Sequence, residues 1–113
     1  MSGCACGHHH HGPACDRPAP TGAQVALSGR LICAGPAELM AVLAHVEDHV
    51  ASSRAEPGCL YFAISQTEDP LVWQVEELFR DEAALAAHRA RTAASDWAAA
   101  TAGIARDIHR IAA

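Results

Sequence analysis

The sequence predicts an α+β fold in which an antiparallel sheet carries helices on one face and the elements follow the order β-α-β-β-α-β. Three observations indicate it. Apolar residues alternate over residues 24–34, they recur at helical spacing over 36–54, and two further strand-like runs, 59–65 and 71–79, are separated by the turn-forming segment 66–70. Because a hairpin that follows a strand and a helix can join the same sheet, this order is typical of a split βαβ arrangement.

The first strand is indicated by strict alternation. Val25, Leu27, Leu31 and Cys33 occupy alternate positions, and Gly29 falls in the same register. Such spacing places all of these residues on one face of a sheet. A glycine inside a strand is typical of a β-bulge, so we expect a bulge at this point.

The first helix begins where Gly35 and Pro36 end the strand, since proline is well suited to the first turn of a helix. Its apolar residues follow helical spacing and are Leu39, Val42, Leu43, Val46 and Val50. The pattern predicts one amphipathic helix over 36–54, closed before the Pro57-Gly58 pair.

The second half of the chain repeats the scheme. Asp81 is a suitable N-cap for a helix over 82–93, and Ser95 or Asp96 can begin a further short helical segment. The last run, IARDIHRIA, fits either a strand or a helix, and we interpret it as the closing strand.

Composition limits the classes of function. The chain has 113 residues, a net charge of −5 and eight basic residues, all of them scattered arginines, so no basic stripe indicates nucleic-acid binding. No apolar run is long enough to span a membrane and no signal segment is present, so we expect a cytoplasmic protein. Much of the apolar content is alanine, which buries little area, and a homodimer would enlarge such a core.

The first 22 residues form a separate segment, rich in Gly, Pro, Cys and His, that we interpret as a flexible metal-binding arm ahead of a domain at 23–113. Its candidate ligands are Cys4, Cys6, His8, His9, His10, His11 and Cys15. Thiols and imidazoles select Cu(I), Zn(II) or Ni(II), and we place copper ahead of zinc. The spacing is not that of a structural zinc site, and the glycines and prolines indicate capture or transfer of the metal instead. The alternative is a tag or a passive low-complexity tail.

Three histidines in the domain are candidates for a second metal site. His45 and His49 lie four residues apart on the first helix and therefore share a face, and His88 on the second helix can approach them beside Glu77. An imidazole-rich site suits copper, iron or zinc. Two alternatives stay open: solvated histidines at a helix edge, and a metal-free site in which His88 is a general base that Glu77 orients.

Aromatic residues on two strands are candidates for a substrate pocket. Trp73 and Phe79 alternate with Glu77 on the third strand, and Tyr61 shares a face with Cys59 on the second. We expect Trp73, Tyr61 and Phe79 to line the pocket, with plain core packing as the alternative.

Two segments, SRAEPGCLYF (53–62) and VEELFRDEAALAAH (75–88), resemble the antibiotic biosynthesis monooxygenase family. The shared features are the turn into the second strand, a glutamate on the third strand and an Asp-x-x-Ala-Leu-x-x-His helix start, and the resemblance extends over about residues 23–111. It implies a ferredoxin-like fold paired as a dimeric α+β barrel, with a pocket between sheet and helices. It also implies that Glu77 and His88 are catalytic, whereas Phe79 stands where the family often has tryptophan.

The resemblance further implies oxidation of electron-rich phenols, quinols or anthrones by O2 without flavin or haem. Three hypotheses follow. The protein is a copper-associated monooxygenase acting on a small aromatic substrate, a cofactor-independent monooxygenase with an unrelated metal-scavenging tail, or a non-enzymatic copper-binding or metallochaperone protein.

Overall fold

A computed structural model describes residues 22–111 of the protein, which contain four strands and three helices. The strands are β1 (Val25–Ile32), β2 (Cys59–Gln66), β3 (Val72–Phe79) and β4 (Ala105–Ile111), and the helices are α1 (Pro36–Arg54), α2 (Glu82–Ala93) and α3 (Asp96–Thr101). The predicted order of strands and helices is confirmed, including the strand at the end of the domain. The arm's candidate ligands lie outside the described residues.

The four strands form one antiparallel sheet in the order β2-β3-β1-β4. Because β1 and β2 are both antiparallel to β3, they run parallel to each other, and α1 connects them across the sheet. This is the ferredoxin-like arrangement that the sequence predicts, with the helices on one face.

The core lies between the sheet and the helices. The alternating residues of β1 are buried as predicted. One group of core residues surrounds Val42 of α1 and Trp97 of α3, and a second surrounds Phe62 of β2 and Leu85 of α2. The two groups fill opposite ends of the space under the helices.

The bulge expected at Gly29 is wrong, because β1 pairs residue by residue with both β3 and β4. Gly29 instead permits a close approach of β4. A Cβ atom at this position would lie 2.0 Å from the carbonyl oxygen of Asp107 and 2.5 Å from the Cα of Ile108. Both are backbone atoms that a side chain cannot displace without moving the strand.

The irregularity in the sheet lies in β2 instead, between Cys59 and Tyr61. Cys59 pairs with Phe79, but Tyr61 pairs with Leu78, so the extra residue resets the alternation. The prediction that Cys59 and Tyr61 share a face is therefore wrong. Phe62 takes the position that faces the helices and is buried there.

The starts of α2 and α3 follow from side-chain caps. The Asp81 carboxylate accepts a hydrogen bond from the backbone N–H of Ala84 at 2.8 Å, as predicted. Ser95, rather than Asp96, is the N-cap of α3 and accepts from the N–H of Ala98 at 3.2 Å. Within residues 22–111, no helix combines the length and apolarity that a membrane span requires.

Candidate active site

A cavity of about 420 Å³ lies between the inner face of the sheet and α2. Its apolar wall is formed by Leu27, Leu85, Ala93 and Ile108. Its polar lining is Glu77, His88, Arg89, Thr92 and Arg106. A mostly apolar recess with a few converging polar groups is the usual form of a small-molecule site.

His88 is held in one orientation by a carboxylate from the turn after α1. The Asp81 cap starts α2 and places His88 two turns later, where its ring is buried. The ring Nδ1 lies 2.9 Å from Oε1 of Glu56, and the other carboxylate oxygen of Glu56 accepts a hydrogen bond from Arg91 Nε. A carboxylate only accepts, so we assign the proton to Nδ1, which leaves the lone pair on Nε2.

The unprotonated Nε2 of His88 is directed to the cavity. It lies 3.9 Å from Oε1 of Glu77 and 3.4 Å from Oγ1 of Thr92, and both of these residues line the cavity. Burial lowers the pKa of His88, although the hydrogen bond that His88 donates to Glu56 opposes that shift. His88 is therefore neutral at neutral pH and can accept a proton from a bound molecule.

Glu77 is a carboxyl group placed among core residues on the inner face of β3. Burial raises the pKa of Glu77 to about 7, an effect that Arg89 opposes and Glu56 reinforces. Both protonation states are therefore populated near neutrality. Next to the His88 base, such a group can return a proton to a reacting molecule.

Arg91 and Ser53 support the Glu56 carboxylate. Nη2 of Arg91 donates a hydrogen bond to Oγ of Ser53 at 3.0 Å, and Ser53 is fully buried near the end of α1. The network therefore joins α1, the following turn and α2. No local sequence pattern indicates a role for Glu56 or Arg91, although Glu56 lies within the Arg-Ala-Glu-Pro-Gly-Cys turn that carries the resemblance.

His49 is buried beside His88 rather than solvated at the edge of α1. Its ring stacks on Trp97 at a centroid distance of 4.7 Å, meets Phe62 edge-on at 5.3 Å, and lies 6.0 Å from the His88 ring. Burial lowers the pKa of His49 to about 4, with His88 and Arg91 adding to the effect. The α1 pattern alone did not predict this burial, because Trp97, which covers the ring, comes from α3.

The histidines predicted to form a metal site are only partly brought together. His45 is half-buried and lines a separate cleft between α1 and α3 with Asp48, His49 and Asp96. Across residues 22–111, no group of three or more His, Cys, Asp or Glu side chains is arranged to hold a metal ion. His88 Nδ1 is already engaged by Glu56. These donors do not fit a resident metal.

The three aromatic residues expected in the pocket do not line the cavity. Phe79 is fully buried, and its ring packs against the His88 ring at a centroid distance of 4.9 Å. Trp73 packs in the core near Val42 and Trp97. Tyr61 lies on the other face of the sheet, because the β2 bulge moves it there.

Comparison with known proteins agrees with this fold. Residues 34–100 match the family described as antibiotic biosynthesis monooxygenase. None of the curated proteins matches the chain. Many solved structures do.

Among these structures, Rv0793 from Mycobacterium tuberculosis has 21% identity and a TM-score of 0.65 over 80% of this chain and 94% of its own. PA3566 from Pseudomonas aeruginosa has 23% identity and a TM-score of 0.66 over 82% and 96%. SnoaB, a cofactor-independent oxygenase from Streptomyces nogalater, has 19% identity and a TM-score of 0.61 over 81% and 94%.

These likenesses identify the fold, and the family match is the more specific result. The matched segment spans more than half of the chain and contains Glu56, Glu77 and His88. This chain therefore belongs to the antibiotic biosynthesis monooxygenase family.

Proposed function

We propose that the protein is a monooxygenase that oxidises a small phenolic or quinol-like molecule with O2 and uses neither flavin nor haem. The observation that carries the proposal is the pair formed by His88 Nε2 and Glu77 at the wall of one cavity, 3.9 Å apart. The family membership and the likeness to SnoaB support it.

In this proposal His88 begins the reaction as a general base. Its Nε2 takes a proton from the substrate, while Glu56 stabilises the resulting imidazolium through Nδ1. The substrate anion is electron-rich and reduces O2 itself. The apolar wall of the cavity suits the ring of such a molecule.

The proposed reaction is written for a substrate whose keto form has a CH2 group in the ring, and it converts this CH2 and O2 into a ring C=O and water. Loss of one proton to His88 gives a carbanion, which adds O2 to form a peroxide anion at carbon. Glu77 in its acid form protonates the outer oxygen. The O–O bond then breaks as the second C–H proton is lost, which leaves a ring C=O and one water. The carbon has supplied four electrons, and a proton passing from His88 to Glu77 restores both groups.

Oxygen uptake tests the proposal directly. We expect the full-length protein to consume O2 in equimolar amount with a hydroquinone, a naphthol or an anthrone, and to do so in the presence of a metal chelator. With ¹⁸O2, one labelled atom is expected in the product and one in water. Uptake by none of the three compounds, or its full loss with chelator, would contradict this function.

The proposal includes a homodimer that pairs through the sheet face opposite the helices. Ile32, on that face of β1, is 40% exposed, and the alanine-rich core gains area by association. A monomeric mass in light scattering at micromolar concentration would refute this part.

The arm favours a second function, because seven of its side chains within twelve residues are thiols or imidazoles that can bind a metal. We propose that this arm binds copper, with zinc as the alternative ion. It then acts as a metal supply to an oxidoreductase, as an unrelated scavenging tail, or as the working part of a metallochaperone.

A full-length variant with serine at Cys4, Cys6 and Cys15 and alanine at His8, His9, His10 and His11 separates these roles. We expect metal analysis to find copper or zinc in the unchanged protein and about none in this variant, since metal ligands are removed. As a matched control, His45→Gln in the domain is expected to leave the metal content unchanged. Retention of metal by the arm variant would contradict an arm site, and loss of oxygen uptake with the arm's metal would favour the copper-associated enzyme.

A further inference from the structure

We infer that the substrate of this cavity carries a carboxylate or a similar anionic group, and that Arg106 binds that group. The inference rests on the proposed function, because it names the class of hydroxyaromatic molecule that the same site takes. Four features of the structure support it.

The first feature is the position of Arg106 on the cavity wall. Arg106 is the second residue of β4 and pairs with Leu31 of β1, whose side chain faces the helices. Residues directly opposite in a sheet share a face, so Arg106 also faces the helix side. It lines the same cavity as His88 and Glu77.

The second feature is the way in which the guanidinium group is held. Its Nη2 donates to the carbonyl oxygen of Thr101 at 2.6 Å, and its Nε donates to that of Ile104 at 3.3 Å. Both acceptors are neutral, so they fix the group without compensating its charge. Both N–H groups of Nη1 and the second N–H of Nη2 remain for a ligand, and a fixed planar fork is the geometry that binds carboxylates well.

The third feature is the contrast with other arginines of the domain. Carboxylate partners are present for Arg80 (Asp81), Arg91 (Glu56) and Arg110 (Glu82). Within the described part of the chain, Arg106 has no carboxylate partner, and Arg89, the second arginine on the cavity wall, forms no hydrogen bond or ion pair.

The fourth feature is the charge balance of the lining. Two guanidinium groups face one carboxyl group, that of Glu77, and burial raises the pKa of this carboxyl to about 7. The cavity is thus electropositive at neutral pH, and the rest of its lining includes the apolar side chains of Leu27, Leu85, Ala93 and Ile108. Such a site favours a molecule with an aromatic body and an anionic end.

Arg106 has a structural role too, since Thr101 is the last residue of α3 and its carbonyl accepts from Arg106 as well as from the backbone N–H of Ile104 at 3.1 Å. Capping accounts for the bonds of Nε and Nη2. It does not account for the cavity or for the unpaired charge. The capping role and the ligand-binding role can be separated by a substitution that keeps a donor for the carbonyls but removes the charge. Arg106→Gln is such a substitution.

Titration calorimetry on the full-length protein tests the inference with matched probes. The probes are 6-hydroxy-2-naphthoate, its neutral amide 6-hydroxy-2-naphthamide, and 2-naphthol. We expect the unchanged protein to bind the carboxylate about tenfold or more tightly than the amide, as a charge-assisted bidentate contact provides. Arg106→Gln is expected to remove most of that preference, because the charged donor is lost.

Arg110→Gln is the control, because Arg110 lies on the same strand but pairs with Glu82 and does not line the cavity. The Arg110→Gln variant is expected to bind the carboxylate more tightly than the amide, as the unchanged protein does. Equal affinity of the unchanged protein for carboxylate and amide, or binding of neither, overturns the inference even if Arg106→Gln fails to fold. Arg89→Gln provides a second folded variant, expected to weaken the preference.

A failure of this inference is distinguishable from a failure of the proposed function. Selective carboxylate binding without oxygen uptake would leave the inference standing and contradict the oxygenase. Oxygen uptake with 2-naphthol and no preference for the carboxylate would do the reverse.

Discussion

His88→Gln is expected to lower kcat/KM for oxygen uptake about 10²–10⁴-fold, the usual contribution of a positioned general base. Glutamine retains a polar side chain of similar reach but cannot take the substrate proton at neutral pH. Since the unassisted route needs the substrate anion from solution, activity of the variant should rise about tenfold per pH unit toward the phenol pKa, near 10. Initial rates at an oxygen electrode from pH 6 to 9 measure both effects.

His109→Gln is the matched control, because His109 is exposed on β4 and its removal should leave the rate unchanged. Glu56→Gln should fall between the two, since the amide still accepts from Nδ1 but no longer stabilises the imidazolium. Its rate profile should shift along the pH axis, which a merely structural effect would not produce. A His88→Gln enzyme as active as the control would remove the base from the mechanism.

The sequence is sufficient for most of the fold because every element except β4, whose pattern also fits a helix, carries its own local signal. The α1 boundaries, 36–54, follow from Pro36 and from apolar spacing, and Asp81 fixes the start of α2 through one side-chain hydrogen bond. Glu77 and His88 were identified by resemblance, and the structure places them 3.9 Å apart.

The rest of the site depends on contacts between segments that are distant in sequence. Glu56 contacts His88 across 32 positions, and Trp97 of α3 covers His49 of α1. Neither contact has a local pattern. The position of Tyr61 depends on a single bulge, because one extra residue in a strand exchanges the two faces of the residues that follow. Alternation along one strand cannot reveal that extra residue, since it becomes visible only in the pairing with a partner strand.

Glu77→Gln is expected to raise the free energy of unfolding at pH 8 by up to about 3 kcal/mol, although it removes a proposed catalytic group. The pKa of Glu77 rises from 4.5 to about 7 on folding, chiefly through burial, and each unit is worth about 1.4 kcal/mol. The folded protein therefore binds more protons than the unfolded chain between pH 4.5 and 7. Stability contributed by this group falls as pH rises through that window, and below pH 4.5 the group contributes nothing.

His49 changes the free energy of unfolding with pH in the opposite direction. Burial lowers the pKa of His49 from 6.5 to about 4, so the unfolded chain binds more protons between these values and stability rises with pH there. The two groups oppose each other in the unchanged protein. Removal of the Glu77 carboxyl should expose the pH dependence of the two buried histidines, His49 and His88, as stability that rises to about pH 6.5 and then stays level.

Urea unfolding of the unchanged protein and the Glu77→Gln variant from pH 4.5 to 8 measures the difference, with Glu68→Gln at an exposed position as the equal change in charge. The difference in free energy of unfolding between Glu77→Gln and the unchanged protein should be near zero at pH 4.5 and largest at pH 8. For Glu68→Gln the same difference should stay small throughout. A carboxyl that destabilises the fold when ionised is one that holds its proton near neutrality, which is the property the proposed mechanism requires of Glu77. Equal stability of the two proteins at pH 8 would therefore show that the carboxyl is already ionised without cost, and it would remove the proton donor from the mechanism together with the pH dependence.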